Sequence, residues 1–417
     1  MVYTGVPKKR LLMVMPYSQF VRKAAEAGFE VWAIWDPSLR DRAYLDEVAE
    51  HARELLLTDF SDEQGLRDLI AGTARAHAIE TVLHLGSEES MGPAVAAAEA
   101  LGLSPNAAGA VHRLNDKAAM RALLAESGLS VVRAEPAATA EEVAAVAGRL
   151  PLPVVVKPSH ASGSRGVALI RDGADLQEWS ARVESSGLAG PFLVEEYLEG
   201  PEFSVETLSA GGTHHVIGIT AKQTTGAPGF VETSHIHPAQ LDPSDASAIR
   251  AVVTGLLDLA GYTFGPAHTE VILTAGGPRI VESQTRLGGD RIPLLIETAT
   301  DFDIEAEIFR TLAGAPVRPP RPKHTAAIGF FFLTPGRLES VTGLGAIRAL
   351  PYVHQLHFPF APGDELPRTT DSFTRHGYVV VDAQSPAEAT ERIARARALL
   401  RADVRESVTA APIGALL

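Results

Sequence analysis

The chain has 417 residues, no cysteine, and a net charge of −14 that comes from 51 acidic and 37 basic residues. Its length predicts two to four domains of roughly 150 residues each. The lack of cysteine excludes disulfides, thiolate nucleophiles, iron–sulfur clusters and cysteine-based zinc sites. The acidic balance argues against a nucleic-acid partner or an anionic membrane surface.

The apolar segments bear on where the protein works. The run after Lys8-Lys9-Arg10 covers only Leu11–Met15, which is too short for the core of a signal peptide. No stretch of the sequence approaches the ~20 apolar residues of a membrane-spanning helix. We therefore expect a cytoplasmic protein with no membrane partner.

Strands and helices alternate at the start of the chain. Strands are predicted at Arg10–Pro16, Glu30–Trp35, Glu54–Leu57 and Thr81–Leu85. Helices are predicted over Ser18–Ala27 and from Gly86 to Gly102, with Ser87 as the N-cap of the second. This βαβ pattern predicts a mostly parallel sheet. No Gly-x-Gly-x-x-Gly follows the first strand, so the dinucleotide fingerprint is absent.

The pattern changes at Asn115, where hairpins become frequent. Further helices are predicted over Asn115–Gly128, Pro243–Ala260, Ile304–Ala313 and Pro386–Arg401. Further strands are predicted at Pro151–Pro158, Val167–Arg171, Phe192–Tyr197, Phe203–Ser209, His214–Ala221, Thr325–Leu333, Val353–Phe358 and Gly377–Ala383. A proline-rich linker is predicted at Pro316–Pro322. The three strands from Thr325 onward and the helix over Pro386–Arg401 follow it, and together they predict a small α+β domain.

Two carboxylates face each other in a predicted hairpin. A turn centred on Gly276 pairs Glu270 with Glu282, and directly opposed residues have Cβ atoms roughly 5 Å apart on one face of the sheet. The like charges need compensation, which a divalent cation supplies. Mg²⁺ is commonly held by one or two carboxylates plus substrate phosphates. Because Gln284 lies on the same face as Glu282, it offers a neutral oxygen, and the hairpin predicts a magnesium–nucleotide site.

A loop of small residues follows the strand that ends at Lys157. It contains Ser159, Ser162, Gly163 and Ser164. Such a loop offers backbone N–H groups to phosphate oxygens, and Lys157 adds a positive charge. The loop is not a Walker A motif, because no Gly-Lys-Ser/Thr precedes a helix. Taken alone, a flexible turn beside a surface lysine explains the segment equally well.

Carboxylates also mark the end of the next predicted strand. The exocyclic amine of an adenine ring needs an acceptor such as the Glu195 carboxylate, and the exposed backbone that follows can donate to N1. Glu202 lies seven residues further on and can bind the ribose hydroxyls. For an isolated Glu-Glu-Tyr, a solvated acidic loop is the favoured alternative.

Together with Lys117, these motifs resemble the ATP-grasp superfamily in order and spacing over about residues 10–320. The resemblance implies an α/β and α+β multidomain protein with the ATP-grasp fold. The expected parts are a Rossmann-like pre-ATP-grasp domain at 1–110, a lid subdomain at 111–190, a core subdomain with the Mg-ATP site at 191–320, and a small α+β domain at 321–417.

The same resemblance implies a set of ligands for ATP and magnesium. The residues expected to bind the nucleotide are Lys117, Lys157, Ser159, Ser162, Gly163, Ser164, Glu195, Glu196, Tyr197, Leu198 and Glu202. Glu270 and Glu282 are expected to hold magnesium, and Gln284 stands where the family usually has Asn. Two magnesium ions are expected, which Mn²⁺ can replace.

A narrower resemblance is to the L-amino acid ligase group. It rests on Phe230–Ala239 and on Arg286 through Asp290, and less specifically on the tail from Thr325. In that group a Glu-x-x-His pair lies at the substrate pocket, and an Arg and a Gly cradle the reacting phosphoryl and carbonyl oxygens. The residues expected at the substrate site are therefore Glu232, His235, Arg286, Gly288, Gly289, Asp290 and Arg291. Of these, Arg286, His235 and Glu232 are the candidate catalytic residues.

Structural explanations compete with several of these roles. Asp290 can pair with a substrate ammonium and Arg291 with a carboxylate, yet a salt bridge between the two fits equally well. Arg286 can instead form a structural ion pair with Glu282, four residues before it, or with Asp290. His235 and His237 resemble a transition-metal pair, but no further His or Cys lies nearby in the sequence, and His237 suits a packed loop residue.

The resemblance implies an ATP-dependent ligase. The carboxylate of one amino acid would be activated as an acyl phosphate, with ATP converted to ADP and phosphate. The amine of a second amino acid would then displace the phosphate, giving a dipeptide or a γ-glutamyl-type amide. Two alternatives are an ATP-grasp ligase of purine or other primary metabolism and a non-catalytic nucleotide-binding regulatory protein. A homodimer is the default expectation for the assembly.

Overall fold

The computed structural model describes residues 8–86, 90–159, 163–188, 190–227 and 229–406. Its first part is a parallel sheet in the order β3-β2-β1-β4, made of β1 (Arg10–Val14), β2 (Glu30–Trp35), β3 (Glu54–Leu57) and β4 (Thr81–His84). The accompanying helices are α1 (Ser18–Glu26), α2 (Arg42–His51), α3 (Glu63–His77) and α4 (Met91–Ala100). The predicted parallel sheet is confirmed. The predicted N-cap Ser87 lies outside the described residues.

Two short helices lead from this sheet to the candidate site, α5 (Ala108–Asn115) and α6 (Lys117–Ser127). Asp116 caps α6 by accepting the N–H of Ala119 at 2.7 Å, and Gly128 ends it in the left-handed conformation. The predicted helix boundary at Asn115 is therefore close to the observed one. Because α6 begins at Lys117, this lysine and Arg121 lie on one helix face, one turn apart.

The next part is a small antiparallel sheet in the order β5-β8-β6-β7, with two helices on one face. Its elements are β5 (Ala134–Ala137), α7 (Ala140–Ala147), β6 (Val154–Pro158), β7 (Ala168–Ile170), α8 (Gly173–Ser186) and β8 (Phe192–Glu196). Val154, Val156 and Val194 pack against the helices in the apolar core. Because side chains alternate along a strand, Lys157 and Glu195 point to the opposite face.

A large antiparallel sheet begins with five strands and a long helix. They are β9 (Glu202–Ala210), β10 (Thr213–Thr224), β11 (Glu232–His237), α9 (Pro243–Ala260), β12 (Gly265–Thr274) and β13 (Gly277–Gln284). The helices α10 (Ile292–Thr300) and α11 (Ile304–Leu312) follow. Phe203, Val205 and Val271 pack against α9 in an apolar core. The alternate positions on β9 and β12 therefore present polar side chains to the other face.

The C-terminal strands extend this same sheet, whose full order is β13-β12-β9-β10-β11-β14-β18-β16. The remaining elements are β14 (Thr325–Phe330), β15 (Gly336–Thr342), α12 (Leu344–Arg348), β16 (Val353–His357), β17 (Glu365–Leu366), a 3₁₀ turn (Ser372–Thr374), β18 (Tyr378–Ala383), α13 (Pro386–Leu399) and β19 (Arg401–Arg405). β17, β15 and β19 form a separate small sheet.

The strands expected to form a separate C-terminal domain thus continue the sheet of the core, because β14 pairs directly with β11. The residue ranges of the four domains stay predictions. Within the described residues, no helix is long and apolar enough to cross a membrane.

Candidate active site

Two adjoining cavities lie between the small sheet, the large sheet and the N-terminal part. The larger has a volume of about 840 Å³ and the smaller about 150 Å³. Lys222, Glu232, Glu270 and Glu282 line both cavities. These four side chains therefore form the boundary between the two compartments.

The predicted pairing of Glu270 with Glu282 is confirmed, although the hairpin reaches it differently. The strands are joined by a two-residue turn, since Thr274 pairs with Gly277, and the turn is not centred on Gly276. Val281 is an extra, bulged residue that restores the predicted register. A bulge gives no clear signal in the sequence. The displaced turn and the unpredicted bulge offset each other, so the predicted pairing of Glu270 with Glu282 is correct although the predicted turn is not.

The two opposed carboxylates are compensated by the protein itself. Lys117 Nζ lies 3.0 Å from Glu282 Oε2, and Lys222 Nζ lies 2.5 Å from Glu270 Oε1. The sequence assigned this compensation to a divalent cation, and the structure shows two lysines instead. Repulsion between the carboxylates is therefore no argument for a metal, and the case for one rests on the donor atoms.

The donor atoms suit magnesium. Glu270 and Glu282 offer carboxylate oxygens, and Gln284 adds an amide whose Nε2 lies 3.2 Å from Glu282 Oε1. All three line the larger cavity, and hard oxygen donors of this kind are those that Mg²⁺ prefers. Among the described residues there is no group of three or more His, Asp or Glu side chains that could hold a metal.

On one side of the pair lies a basic cluster, which we define as Lys117, Arg121 and Lys157 with the carboxylates of Glu195 and Glu282. Lys157 Nζ lies 2.6 Å from Glu195 Oε2, and Arg121 pairs with Oε1 of the same carboxylate. Burial alone would raise the pKa of Glu195, but Arg121 and Lys157 lower it to about 2. Three cations thus share two carboxylates in a buried site.

The excess positive charge in the basic cluster has a consequence for Lys157. Burial, together with repulsion from Arg121 and Lys117, lowers the pKa of Lys157 although Glu195 and Glu282 oppose this. A bound anion would offset this repulsion among the three cations, so the basic cluster is suited to binding phosphate oxygens. Arg121 escaped the sequence analysis, and its position one turn after Lys117 is the pattern that could have revealed it.

On the other side lies an acidic cluster, defined as Lys222 with the carboxylates of Glu202, Glu232 and Glu270. Lys222 Nζ lies 2.6 Å from Glu202 Oε1 and 3.7 Å from Glu232 Oε1, in addition to its contact with Glu270. Burial alone would lower the pKa of Lys222, but the three carboxylates raise it well above its usual range. Burial and repulsion from the other two carboxylates raise the pKa of Glu202 despite Lys222.

Lys222 was also missed from sequence. It is 9% exposed and lies near the end of a largely apolar strand, β10. A buried lysine needs a negative partner, so its presence in such a strand could have predicted a carboxylate nearby. Which carboxylates it meets depends on strands far apart in the sequence.

The sequence analysis also missed a pair of residues that contacts Glu270, since His268 Nε2 lies 3.4 Å from Glu270 Oε1. Glu206 and His268 are directly opposed on β9 and β12, and His268 Nδ1 lies 2.5 Å from Glu206 Oε1. Burial alone would lower the pKa of His268, but Glu206 and Glu270 raise it to about 9. Glu206 Oε2 also accepts the N–H of Gly288 at 3.1 Å. A Cβ at Gly288 would lie 2.7 Å from Glu206, so the close approach requires glycine.

Most of the predicted nucleotide residues line the smaller cavity. They are Lys117, Lys157, Gly163, Ser164, Glu195, Glu196, Tyr197, Leu198 and Glu202. Val155, Phe230 and Ile272 give this cavity apolar walls, which suits a purine ring. Ser159 is placed elsewhere, because its N–H is donated to the carbonyl of Pro191 at 2.9 Å, and Ser162 lies outside the described residues.

All of the predicted substrate residues line the larger cavity. They are Glu232, His235, Arg286, Gly288, Gly289, Asp290 and Arg291. Ser372 Oγ donates a hydrogen bond to Glu232 Oε2, and Arg286 Nη1 donates to the carbonyl of Leu287 at 2.9 Å. The chain therefore brings Glu270, Glu282 and the predicted substrate residues to one compartment.

The salt bridge considered between Asp290 and Arg291 does not form. Asp290 pairs with Arg375 and with His235 Nε2 at 2.9 Å, whereas Arg291 Nε donates to the hydroxyl of Tyr378 at 2.9 Å. His237 is fully buried on β11, where burial lowers its pKa to about 4. It is a packed residue, as expected, although it lies on a strand instead of a loop.

Comparison with known proteins agrees with this geometry. Residues 150–293 match the family model of the ATP-grasp domain, and residues 329–405 match that of the L-amino acid ligase C-terminal domain 2. The chain is 31% identical over 299 residues to the uncharacterized protein y4rH of Sinorhizobium fredii. The matched segment covers 69% of this chain and 60% of that protein. It therefore spans less than two thirds of that relative's length.

Two further matches extend the likeness. The chain is 25% identical over 303 residues to dapdiamide A synthase of Enterobacter agglomerans, covering 68% of this chain and 70% of the relative. Its fold resembles that of L-amino acid ligase from Bacillus licheniformis with a TM-score of 0.80 and 23% identity, covering 96% of this chain and 100% of the other. Residues 150–293 of the chain therefore carry an ATP-grasp domain, and residues 329–405 carry the C-terminal domain 2 of the L-amino acid ligases.

Proposed function

We propose that this chain is an ATP-dependent ligase that joins the carboxylate of one amino acid to the amine of another, with ADP and phosphate as the other products. The observation that carries the proposal is the meeting of a basic and an acidic cluster at Glu270 and Glu282, beside Arg286. Dapdiamide A synthase is named for making an amide-type product, and the likeness to it supports this reaction class.

In this proposal the adenine ring lies in the smaller cavity, and the phosphates extend toward its boundary with the larger cavity. Lys117 and Lys157 line the smaller cavity and face the phosphates, whose negative charge balances the cation excess of the basic cluster. Arg121 contributes positive charge to the cluster through its pair with Glu195. The adenine ring lies between the apolar walls, with Glu195 or the backbone of Glu196 and Leu198 toward its polar edge. Glu195 is already held by two cations, so the backbone is the simpler partner for the ring.

Magnesium would be held by Glu270 and Glu282, with Gln284 as a third oxygen donor. When bound, it would neutralise charge on the phosphate oxygens. Two ions are proposed, with Mn²⁺ able to substitute, because Glu202, Glu232 and Glu270 share the single Lys222 and so leave an excess of negative charge for a second cation. Binding requires that Lys222 and Lys117 shift their contacts from the carboxylates toward phosphate oxygens.

The chain's own residues then position the two substrates. Glu232 receives the ammonium of the amino acid to be activated, and the Arg286 guanidinium holds its carboxylate against the γ-phosphate. A carboxylate oxygen attacks phosphorus as the bond to ADP breaks, which gives an acyl phosphate. The second amine attacks the carbonyl carbon, loses a proton, and displaces phosphate. Arg286 stabilises the negative charge on the transferring phosphoryl oxygens in the first step and the oxyanion formed by amine attack in the second.

A matrix of amino-acid pairs with ATP and Mg²⁺ tests the proposal. Release of ADP and phosphate should depend on an amino acid, and a condensed product should appear by mass spectrometry only with a suitable pair. A γ-linked product would assign activation to a side-chain carboxylate. Release of AMP and pyrophosphate, or amino-acid-independent turnover only, would overturn the proposal. The cytoplasmic location, the homodimer and the lack of a nucleic-acid partner stay predictions.

A further inference from the structure

Asp290 lies in the wall of the substrate cavity with both carboxylate oxygens engaged. Arg375 grips it as a fork, with Nη1 3.0 Å from Oδ2 and Nη2 on Oδ1. His235 Nε2 donates to Oδ2 at 2.9 Å. Burial alone would raise the pKa of Asp290, but His235 and Arg375 hold it well below its usual range. Asp290 is therefore an ionised but already neutralised carboxylate.

Arg375 reaches this wall from the C-terminal part of the chain, directly after the 3₁₀ turn. Its guanidinium lies 3.5 Å from the ring centroid of Phe330, and Nε donates to the carbonyl of Ser372 at 2.8 Å. Nη1 is also 3.4 Å from the carbonyl of Glu232. The Arg375 guanidinium is thus held by an aromatic ring and two backbone carbonyls. In this fixed orientation it maintains its bidentate contact with the Asp290 carboxylate.

The neighbouring carboxylate is in a different state. Glu232 accepts from the neutral hydroxyl of Ser372, and the nearest cation is Lys222 Nζ at 3.7 Å, which it shares with Glu202 and Glu270. Glu232 and Asp290 line the same cavity, and Arg375 contacts the backbone of the first and the side chain of the second. Of the other carboxylates that line this cavity, Glu270 and Glu282 contact Lys222 and Lys117, and Glu305 contacts Lys23 at 2.8 Å. Arg375 therefore masks Asp290 but not Glu232.

Building on the proposed function, we propose that Arg375 is a specificity-determining residue. By occupying Asp290 it leaves Glu232 as the carboxylate that receives the substrate ammonium. The activated substrate is then an amino acid with one ammonium group, and a second ammonium on its side chain meets no free carboxylate at Asp290. Loss of the Arg375 charge would expose Asp290 as a second acceptor and favour dicationic amino acids.

The test compares lysine with norleucine, which has the same chain length without the side-chain ammonium, as the activated substrate with a fixed amine partner. In Arg375→Gln, the ratio of kcat/KM for lysine to kcat/KM for norleucine should rise by about tenfold or more. This is the size of effect expected when the side-chain ammonium of lysine gains a hydrogen bond to the charged Asp290 carboxylate. In Asp290→Asn the ratio should fall, because the Arg375 charge is then unpaired. The double variant should return to the wild-type ratio.

The controls separate charge from folding. Arg405→Gln removes an exposed arginine that pairs with Glu339 at 2.8 Å, and it should leave the ratio unchanged. A purely structural role of Arg375 would lower kcat/KM for lysine and norleucine together, and that result would overturn the inference. A rise of the lysine-to-norleucine ratio in Asp290→Asn would also overturn the inference. The Asp290→Asn variant therefore keeps the inference testable if Arg375→Gln does not fold. Absence of any amino-acid-dependent ADP release in the wild type would instead refute the proposed function.

Discussion

The basic and the acidic cluster flank the same pair of glutamates but carry opposite net charge. The basic cluster has three cations for two carboxylates, and the acidic cluster has one lysine for three carboxylates. In an acidic chain with a net charge of −14, the local cation excess stands out. One active site can therefore offer an anion-binding half and a cation-binding half within a few ångströms.

This difference is what a phosphoryl-transfer site needs. Phosphates require positive charge, whereas a metal and a substrate ammonium require negative charge. A uniform site would favour one and repel the other. The Glu195 carboxylate offsets positive charge in the basic cluster, and the Lys222 ammonium offsets negative charge in the acidic cluster. Variants of these two residues therefore test the charge difference between the clusters directly.

The largest expected effect is the loss of the single lysine in the acidic cluster. Lys222→Met leaves three half-buried carboxylates without the lysine that they share and should destabilise the fold by roughly 3–5 kcal/mol, as measured by urea unfolding at neutral pH. Lys323→Met removes an exposed pair with Asp301 and should cost at most about 1 kcal/mol. Equal stability of the two variants would contradict the central role of Lys222.

Arg286 tests whether chemistry is centred where the clusters meet. Arg286→Ala should lose roughly 3–4 kcal/mol of transition-state stabilisation, or a few hundredfold in kcat, while nucleotide affinity measured by calorimetry is kept. Arg279→Ala is the matched control, because Arg279 lies on the same hairpin and contacts the Pro278 carbonyl. Near-normal ligation by Arg286→Ala with intact nucleotide binding would remove Arg286 from the mechanism.

Glu195 tests the basic cluster through the pH dependence of stability. A pKa lowered from 4.5 to about 2 contributes about 3 kcal/mol, present above pH 4.5 and lost as the pH falls toward 2. Glu195→Gln should therefore be less stable than wild type at neutral pH, and the gap should narrow below pH 4.5. Glu135→Gln, at an exposed pair with Arg149, should show little difference at any pH. A gap independent of pH would contradict the pairing of Glu195.

The smallest expected effect concerns Gln284. If its amide oxygen completes the metal site, Gln284→Ala should weaken the apparent Mg²⁺ affinity by about tenfold, or about 1.4 kcal/mol. Both Mg²⁺-dependent ADP formation and Mg²⁺-dependent nucleotide binding should shift together. An unchanged titration in both assays would limit the metal donors to Glu270 and Glu282.

The local parts of the account were predictable from sequence. Alternation along a strand and a short turn were sufficient to oppose Glu270 and Glu282, and the parallel N-terminal sheet followed from its apolar runs. The family resemblance supplied Glu232, His235 and Arg286, which all line the substrate cavity.

Lys222 and Arg375 were missed for the same physical reason. Lys222 lies 48 positions from Glu270, and Arg375 lies 85 positions from Asp290, so their contacts depend on strand order and not on spacing. The order β12-β9-β10 that joins Lys222 to the metal carboxylate has no local signature. A buried Lys or Arg indicates that a carboxylate is near, but only the fold identifies which one.

The most direct test of the account follows an oxygen atom. An amino acid whose carboxylate carries heavy oxygen is incubated with ATP, Mg²⁺ and an amine partner, and the released phosphate is analysed by mass spectrometry. If the carboxylate attacks the γ-phosphate at the meeting point of the two clusters, one heavy oxygen should be transferred to phosphate for each amide formed. Unlabelled phosphate alongside product, or label in AMP, would contradict activation through an acyl phosphate.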